Sequence, residues 1–253
     1  MASIERDGVR VYYEAIGSGP AILLSHGYGA TSQMWAGQLE LLSADHRLIV
    51  WDMRGHGQTD SPDDQSCYSE AETVADMAAI LDAEGVEDAV IGGLSLGGYM
   101  SLAFHLVHPD RTRALMLFDT GPGYNNPKAR EGWNSGMAIP RAEALERDGL
   151  AALGGSEEVR VSTHRSAVGL AKAARGMLAQ FDNRVIQSLS SIAKPSLVLV
   201  GEHDEPFLVG TDYMANKIPN SVKVIVPSAG HAANIDNPAD FNSAVRSFLN
   251  DLG

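Results

Sequence analysis

Cysteine is almost missing: Cys67 is the only one in 253 residues, so no intramolecular disulfide can form and a stapled secreted scaffold is excluded. Basic residues are scarce, with 19 Lys and Arg against 32 Asp and Glu, and the net charge of −13 argues against nucleic acid or an anionic membrane as partner. No apolar run approaches the ~20 residues needed to span a bilayer. The opening residues Met1-Ala2-Ser3-Ile4-Glu5-Arg6-Asp7 carry charges where a secretory signal needs an apolar stretch. Internal repeats and low-complexity segments are also absent. These exclusions lead to the expectation of a soluble, cytoplasmic protein. What is present is a chain 44% hydrophobic, enough at this length for one sizeable core with room for an inserted subdomain.

The most informative stretch is Ala89-Val90-Ile91-Gly92-Gly93-Leu94-Ser95-Leu96-Gly97-Gly98. A short apolar run of strand type stops at Ser95, and Met100, Ala103, Phe104 and Val107 then recur at helical spacing over Tyr99 to Val107. Ser95 therefore sits on a strand-to-helix turn. Gly93 and Gly97 complete a G-x-S-x-G pattern, because a side chain pushed outward on so sharp a turn leaves no room for Cβ atoms two residues to either side.

The same alternation runs through the rest of the chain. Val9 to Tyr13 reads as a half-exposed strand at a sheet edge, and Ala21 to Ser25 and Leu48 to Trp51 read as buried strands. These last two break into the glycine-rich loops His26-Gly27-Tyr28-Gly29 and Asp52-Met53-Arg54-Gly55-His56-Gly57. Thr73 to Leu81 is an amphipathic helix, Ala114 to Phe118 a buried strand ending at Asp119, Ser196 to Val200 a strand ending near Asp204, and Val222 to Val226 one that runs toward His231. A helix spans about Phe207 to Ile218, and another, from Pro238 to Leu252, closes the chain, with Asp236 as its expected N-cap. Strands alternating with helices imply a parallel, doubly wound sheet with its site on the carboxyl edge. From about Gly123 to Ser191 the strand signal disappears, and Leu170, Ala174, Met177, Leu178 and Phe181 share one helical face. The expected division is a core of residues 1–122 and 192–253 with a helical lid over 123–191.

A serine hydroxyl is a weak nucleophile without a base to take its proton, and the base needs a third group to orient it. His231 follows a strand near the carboxyl end, with Gly230 before it and the small residues Ala232-Ala233 after it. Asp204 is the favoured carboxylate, since it gives the order Ser95, Asp204, His231; Asp119 is the alternative. Asp52 is read as organising its own loop with Arg54. Attack on a carbonyl also needs two donors for the oxyanion. The backbone N–H groups of Leu96 and Tyr28 are the candidates, with His26 given only a structural role. Trp35, Tyr99, Trp133, Phe207 and the Tyr28 side chain are candidate pocket lining.

On these residues the chain resembles an α/β-hydrolase, and over nearly its whole length. Ser25 to Gly29, Asp52 to Gly57, Gly93 to Gly98, Gly201 to Asp204 and Gly230-His231 carry the resemblance. Within that family it is similar to the compact esterase and enol-lactonase branch with a helical lid. The resemblance implies the α/β-hydrolase fold and a serine hydrolase of small carboxylic esters acting through an acyl-enzyme, with a small ester or lactone as partner and neither cofactor nor metal. Ser95 in place of an elbow aspartate disfavours the family's dehalogenase and epoxide hydrolase activities. Lactonase, carbon–carbon bond hydrolase and perhydrolase chemistry use the same triad and stay open, as does a ligand sensor that keeps the triad with negligible turnover. An acidic enol-lactone would require a lid cation, Arg130, Arg141 or Arg175, facing Ser95.

Overall fold

A computed structural model describes residues 2–252. Eight strands form one sheet: β1 (Ala2–Arg6), β2 (Val9–Ile16), β3 (Ala21–Ser25), β4 (Arg47–Trp51), β5 (Ala89–Leu94), β6 (Thr112–Phe118), β7 (Ser196–Gly201) and β8 (Ser221–Val226). Their order is β1-β2-β4-β3-β5-β6-β7-β8. The β1–β2 and β2–β4 pairs are antiparallel and the remaining pairs parallel. The helices, in chain order, are α1 (Ala36–Ser43), α2 (Glu70–Ala83), α3 (Leu96–Val107), α4 (Pro127–Trp133), α5 (Ile139–Asp148), α6 (Glu157–Arg160), α7 (Ala167–Ala173), α8 (Arg184–Ser188), α9 (Glu205–Lys217), α10 (Ala233–Asp236) and α11 (Pro238–Asn250).

The central strands are near-continuous apolar runs, with polar residues only at their ends, because both sheet faces are covered. Successive side chains point to opposite faces. Leu23, Ile49, Ile91, Leu115 and Val198 pack with α2 and α3 on one face, and Ile22, Leu24, Leu48, Val90 and Met116 pack with Trp35 and α11 on the other. Between β6 and β7 the described residues form helices and no strand. Two π turns, Asn134–Ala138 and Ala174–Leu178, widen those helices.

Four sequence expectations are corrected here. The strand at Val9 is not the edge, because the polar segment Ala2–Arg6 pairs outside it. Asn237, not Asp236, caps α11, its side chain accepting from the Asp240 amide, while Asp236 accepts from the Gly230 amide. Arg54 pairs with Asp76 at 2.7 Å rather than with Asp52. Phe181 lies beyond the last helical turn and is 72% exposed.

Buried polar groups hold the loops at the carboxyl edge. The Asp52 carboxylate accepts the Ser32 and Gln58 amides, each at 2.8 Å, tying the loop after β3 to that after β4. Three imidazoles continue the tie. His26 bridges the Gly27 carbonyl and the Met53 amide, His56 the Arg54 carbonyl and the Gly29 amide, and His164 the Gly29 carbonyl and the Gly57 amide. Each ring uses one nitrogen as acceptor from a backbone N–H, so each must be neutral. Burial accordingly lowers all three, His26 to about 4 and His56 and His164 in the same direction.

Below the ordinary histidine pKa of about 6.5 the unfolded chain takes up protons on these residues that the folded chain refuses, so stability falls as pH falls. Asp119, held well above the ordinary carboxylate range chiefly by burial, works in the opposite sense, but as one group against these three and His105 and His108, which burial also lowers. The thermal midpoint should therefore drop by on the order of 5 °C between pH 7 and pH 5. A midpoint unchanged over that interval, followed by circular dichroism, would show that the buried rings accept protons without strain.

Candidate active site

Ser95 has φ +55° and ψ −116°, a conformation in the left-handed half of the map that costs on the order of 1–3 kcal/mol for a residue with a side chain. Hydrogen bonds hold it there. Its amide donates to the Phe118 carbonyl at 2.9 Å, and its carbonyl accepts the Thr120 hydroxyl at 2.6 Å and the Tyr99 amide at 3.1 Å. The glycine reasoning is met in the packing: a Cβ on Gly97 would lie 2.2 Å from the Ser25 carbonyl oxygen, and one on Gly93 2.5 Å from the same atom. Ser95 makes no side-chain cap to α3, so its hydroxyl is not spent on the helix that it opens.

Leu96 is the first residue of α3, and the N–H of a first helical residue has no partner within the helix. The loop after β3 lies directly over the turn, with a Cβ placed on Gly27 only 3.5 Å from that of Ser95. Tyr28 follows in that loop. Its side chain turns away, donating its hydroxyl to the Leu170 carbonyl at 2.9 Å and meeting the His56 ring edge-on.

Asp204 and His231 are brought together by the ends of β7 and β8. His231 Nδ1 lies 2.8 Å from Asp204 Oδ2. The carboxylate accepts, so Nδ1 carries the proton and Nε2 is left as the basic nitrogen. Asp204 is 4% exposed, and the Phe207 ring stacks on the imidazole at 4.9 Å. Asp119, the alternative acid, is fully buried behind this pair, and its Oδ1 accepts the Gly201 amide at 2.7 Å.

Ser95 and Leu96 open into a cavity of about 390 Å³ walled on its other sides by Tyr99, Trp133 and Phe207. The Tyr28 side chain is not part of the wall. Trp35, expected there, lies instead in the core under the opposite sheet face, its ring 6.0 Å from Phe118. The helical spacing of residues 32–35 packs Trp35 against the sheet, and no sequence signal distinguished the two faces. No charged side chain lines the cavity among the described residues. Arg175 pairs with Glu146, Arg130 donates to the Tyr124 and Asn125 carbonyls, and Arg141 stands over the Tyr28 ring. Among the described residues no group of histidine, cysteine, aspartate and glutamate could hold a metal ion.

Comparison with known proteins agrees with this fold. A family model described as the alpha/beta hydrolase fold matches residues 20–151. The chain belongs to the α/β-hydrolase family. A Bacillus subtilis (strain 168) protein provisionally named 2-succinyl-6-hydroxy-2,4-cyclohexadiene-1-carboxylate synthase is 30% identical over 97% of both chains. 3-Oxoadipate enol-lactonase 1 of Acinetobacter baylyi is 30% identical over 92% of this chain and 90% of its own. The structure of a thermophilic esterase from Thermogutta terrifontis superposes with a TM-score of 0.84 at 27% identity, over 99% of this chain and 97% of that one.

In this α/β-hydrolase several site residues escaped sequence reasoning. Thr120 follows the strand end at Asp119, a position at the carboxyl edge that could have flagged it. Met177, Leu178 and Gln180 line the cavity from the π turn and the residues just after it, and no sequence pattern marks such a turn. Removing the Thr120 hydroxyl as Thr120→Val should cost about 0.5–1.5 kcal/mol, read as a thermal midpoint roughly 2–4 °C lower. An unchanged midpoint would show that the turn at Ser95 holds without that bond.

Proposed function

We propose that this protein is a serine hydrolase of small, neutral carboxylic esters. The observation that supports the reading is a serine on a strained strand-to-helix turn, opening into an uncharged cavity whose wall residue Phe207 stacks on a histidine hydrogen-bonded to a buried carboxylate. Ser95 Oγ attacks the ester carbonyl while His231 Nε2 takes its proton, and Asp204 holds the imidazole in the required tautomer. The Leu96 and Tyr28 amides stabilise the oxyanion, an arrangement worth ~10²–10³ in rate per donor. As the tetrahedral intermediate collapses, the carbon–oxygen bond breaks and His231 returns the proton to the departing alcohol. Water then attacks the acyl-enzyme with His231 again as base, releasing the acid and restoring Ser95. Residues 123–191 act as the lid that keeps bulk water from the acyl group.

The relatives include proteins named for acidic compounds, a 3-oxoadipate enol-lactonase and a carboxylate synthase. An acidic substrate would need a cation to offset its desolvation, and none of the three lid arginines lines the cavity: Arg175 is held by Glu146, Arg141 stands over the Tyr28 ring, and Arg130 is held by the carbonyls of Asn125 and of the wall residue Tyr124. This supports the neutral ester over the acidic enol-lactone. The cavity volume is near the lower end of the range of roughly 300–1,000 Å³ for ligand sites, which supports a small acyl group.

A fluorophosphonate probe should label the protein once, at Ser95, and Ser95→Ala should abolish both labelling and ester turnover; labelling that survives the substitution overturns the assignment. Among p-nitrophenyl esters, each buried methylene gains about 0.8 kcal/mol, so kcat/KM should rise roughly fourfold per carbon until the cavity is full and then decline. The optimum is expected at about two to six acyl carbons. An optimum at ten or more would require a tunnel that this cavity does not provide.

A further inference from the structure

Two carboxyl groups meet behind His231, and the reading above uses only one. Asp119 ends β6 at φ +45°, is fully buried, and is anchored on one side by the Gly201 amide on its Oδ1 at 2.7 Å. Its other oxygen, Oδ2, is buried and makes no hydrogen bond of standard geometry. The Asp204 carboxyl lies within hydrogen-bonding reach of Asp119, and the Ala233 amide approaches from the loop that carries His231. Asp204 is committed as an anion by its bond to His231 Nδ1. Two buried carboxylates in contact cannot both be charged without strong repulsion. The Ala233 amide alone would favour the anion, but a buried oxygen without a well-aligned donor, beside a carboxylate that can accept, is satisfied by holding a proton and donating it.

We propose that Asp119 is a positioning residue that keeps its proton at neutral pH and donates a hydrogen bond from Oδ2 to the Asp204 carboxylate. It thereby ties together the ends of β6 and β7 and the His231 loop, and fixes the face that Asp204 turns to the imidazole. The direction of its titration agrees: burial is the largest cause and, with the Asp204 charge, outweighs the Gly201 and Ala233 amides that favour the anion, holding the carboxyl well above its ordinary range. The titratable groups facing it are Asp204 and, beyond Asp204, His231; the cavity wall contributes none. The arrangement has a consequence for the base. A donor on Asp204 spreads part of its charge, so the imidazolium is stabilised less than by a free carboxylate and His231 stays a neutral base to lower pH.

The proposal rests on Asp204 and His231 as acid and base, and two measurements separate its failure from theirs. The first is independent of turnover: the infrared difference spectrum between wild type and Asp119→Asn at pH 7 should contain a protonated-carboxyl stretch, and its absence overturns the proposal even if every ester is hydrolysed. The second is the pH profile of kcat/KM. Asp119→Leu, which removes the donor, should lower kcat about 10-fold with KM within about twofold and raise the acidic limb by about 0.5 in pH. Asp119→Asn, whose carboxamide can both donate to Asp204 and accept from Gly201, should restore the wild-type limb and most of kcat. If Asp119 were instead an anion, Asp119→Asn would remove a negative charge near His231 and move the limb downward, and that result overturns the proposal. Should Asp119→Leu fail to fold, the Asp119→Asn limb and the infrared band still decide the question.

Discussion

The close approach of backbone at Ser95 is the constraint on which the rest of the structure depends. A serine at positive φ between β5 and α3 can persist only where its neighbours lack side chains and its own amide and carbonyl are paired. Gly93 and Gly97 meet the first condition against the Ser25 carbonyl, and Phe118, Thr120 and Tyr99 meet the second. These partners come from β3, β6 and α3, so the turn is over-determined by three neighbouring elements. That is the circumstance in which local strain survives, and it explains why the parallel register of β3, β5 and β6 matters to a single hydroxyl.

A second layer of order comes from buried polar groups that carry no charge. His26, His56 and His164 each bridge a backbone carbonyl and a backbone amide across the loops after β3 and β4. His164 belongs to the helical segment between β6 and β7, so the same network that sets the loop over Ser95 also ties that segment to the sheet. Asp119 belongs to the same class of device in our proposal: a group that serves by being neutral in a place where charge would be repelled. Carboxylates in the interior are held by hydrogen bonds or by a cation: Asp52 by the Ser32 and Gln58 amides, Asp204 by the His231 ring, and Asp76 by Arg54.

The cavity adds the chemical selectivity. Its walls bring together β-strand ends, α3, α9 and the helical segment, and the hydroxyl of Tyr99 and the indole N–H of Trp133 are turned onto protein partners, Glu70 and the Leu178 carbonyl. The chamber is mostly apolar and has no charged side chain in its wall, with Gln180 Oε1 its one buried side-chain oxygen left unpartnered among the described residues, and in our proposal this suits a neutral acyl group. It also strengthens the field of any oxyanion donor by excluding water. Members of one hydrolase family can in this way share a turn, an acid and a base and still divide among substrates by what lines the chamber.

The strand-to-helix turn at Ser95, the alternation of strands and helices and the strand ends that carry Asp204 and His231 were all legible in the sequence, because each follows from local rules: apolar periodicity, glycine where Cβ atoms cannot fit, and strand ends that share one edge of a parallel sheet. The polar edge strand β1 escaped because pairing with β2, not hydrophobicity, makes it a strand. Trp35 looked like pocket lining and proved to be core, because composition does not say which sheet face a residue will meet. The partners of Arg130, Arg141 and Arg175, the uncharged wall, the wide turns carrying Met177 and Leu178, and the contact of Asp119 with Asp204 were decided only by tertiary structure. Each depends on where residues distant in sequence come to lie, and burial, the repulsion of like charges and the pairing of orphaned polar atoms act on distances in space that no local pattern encodes.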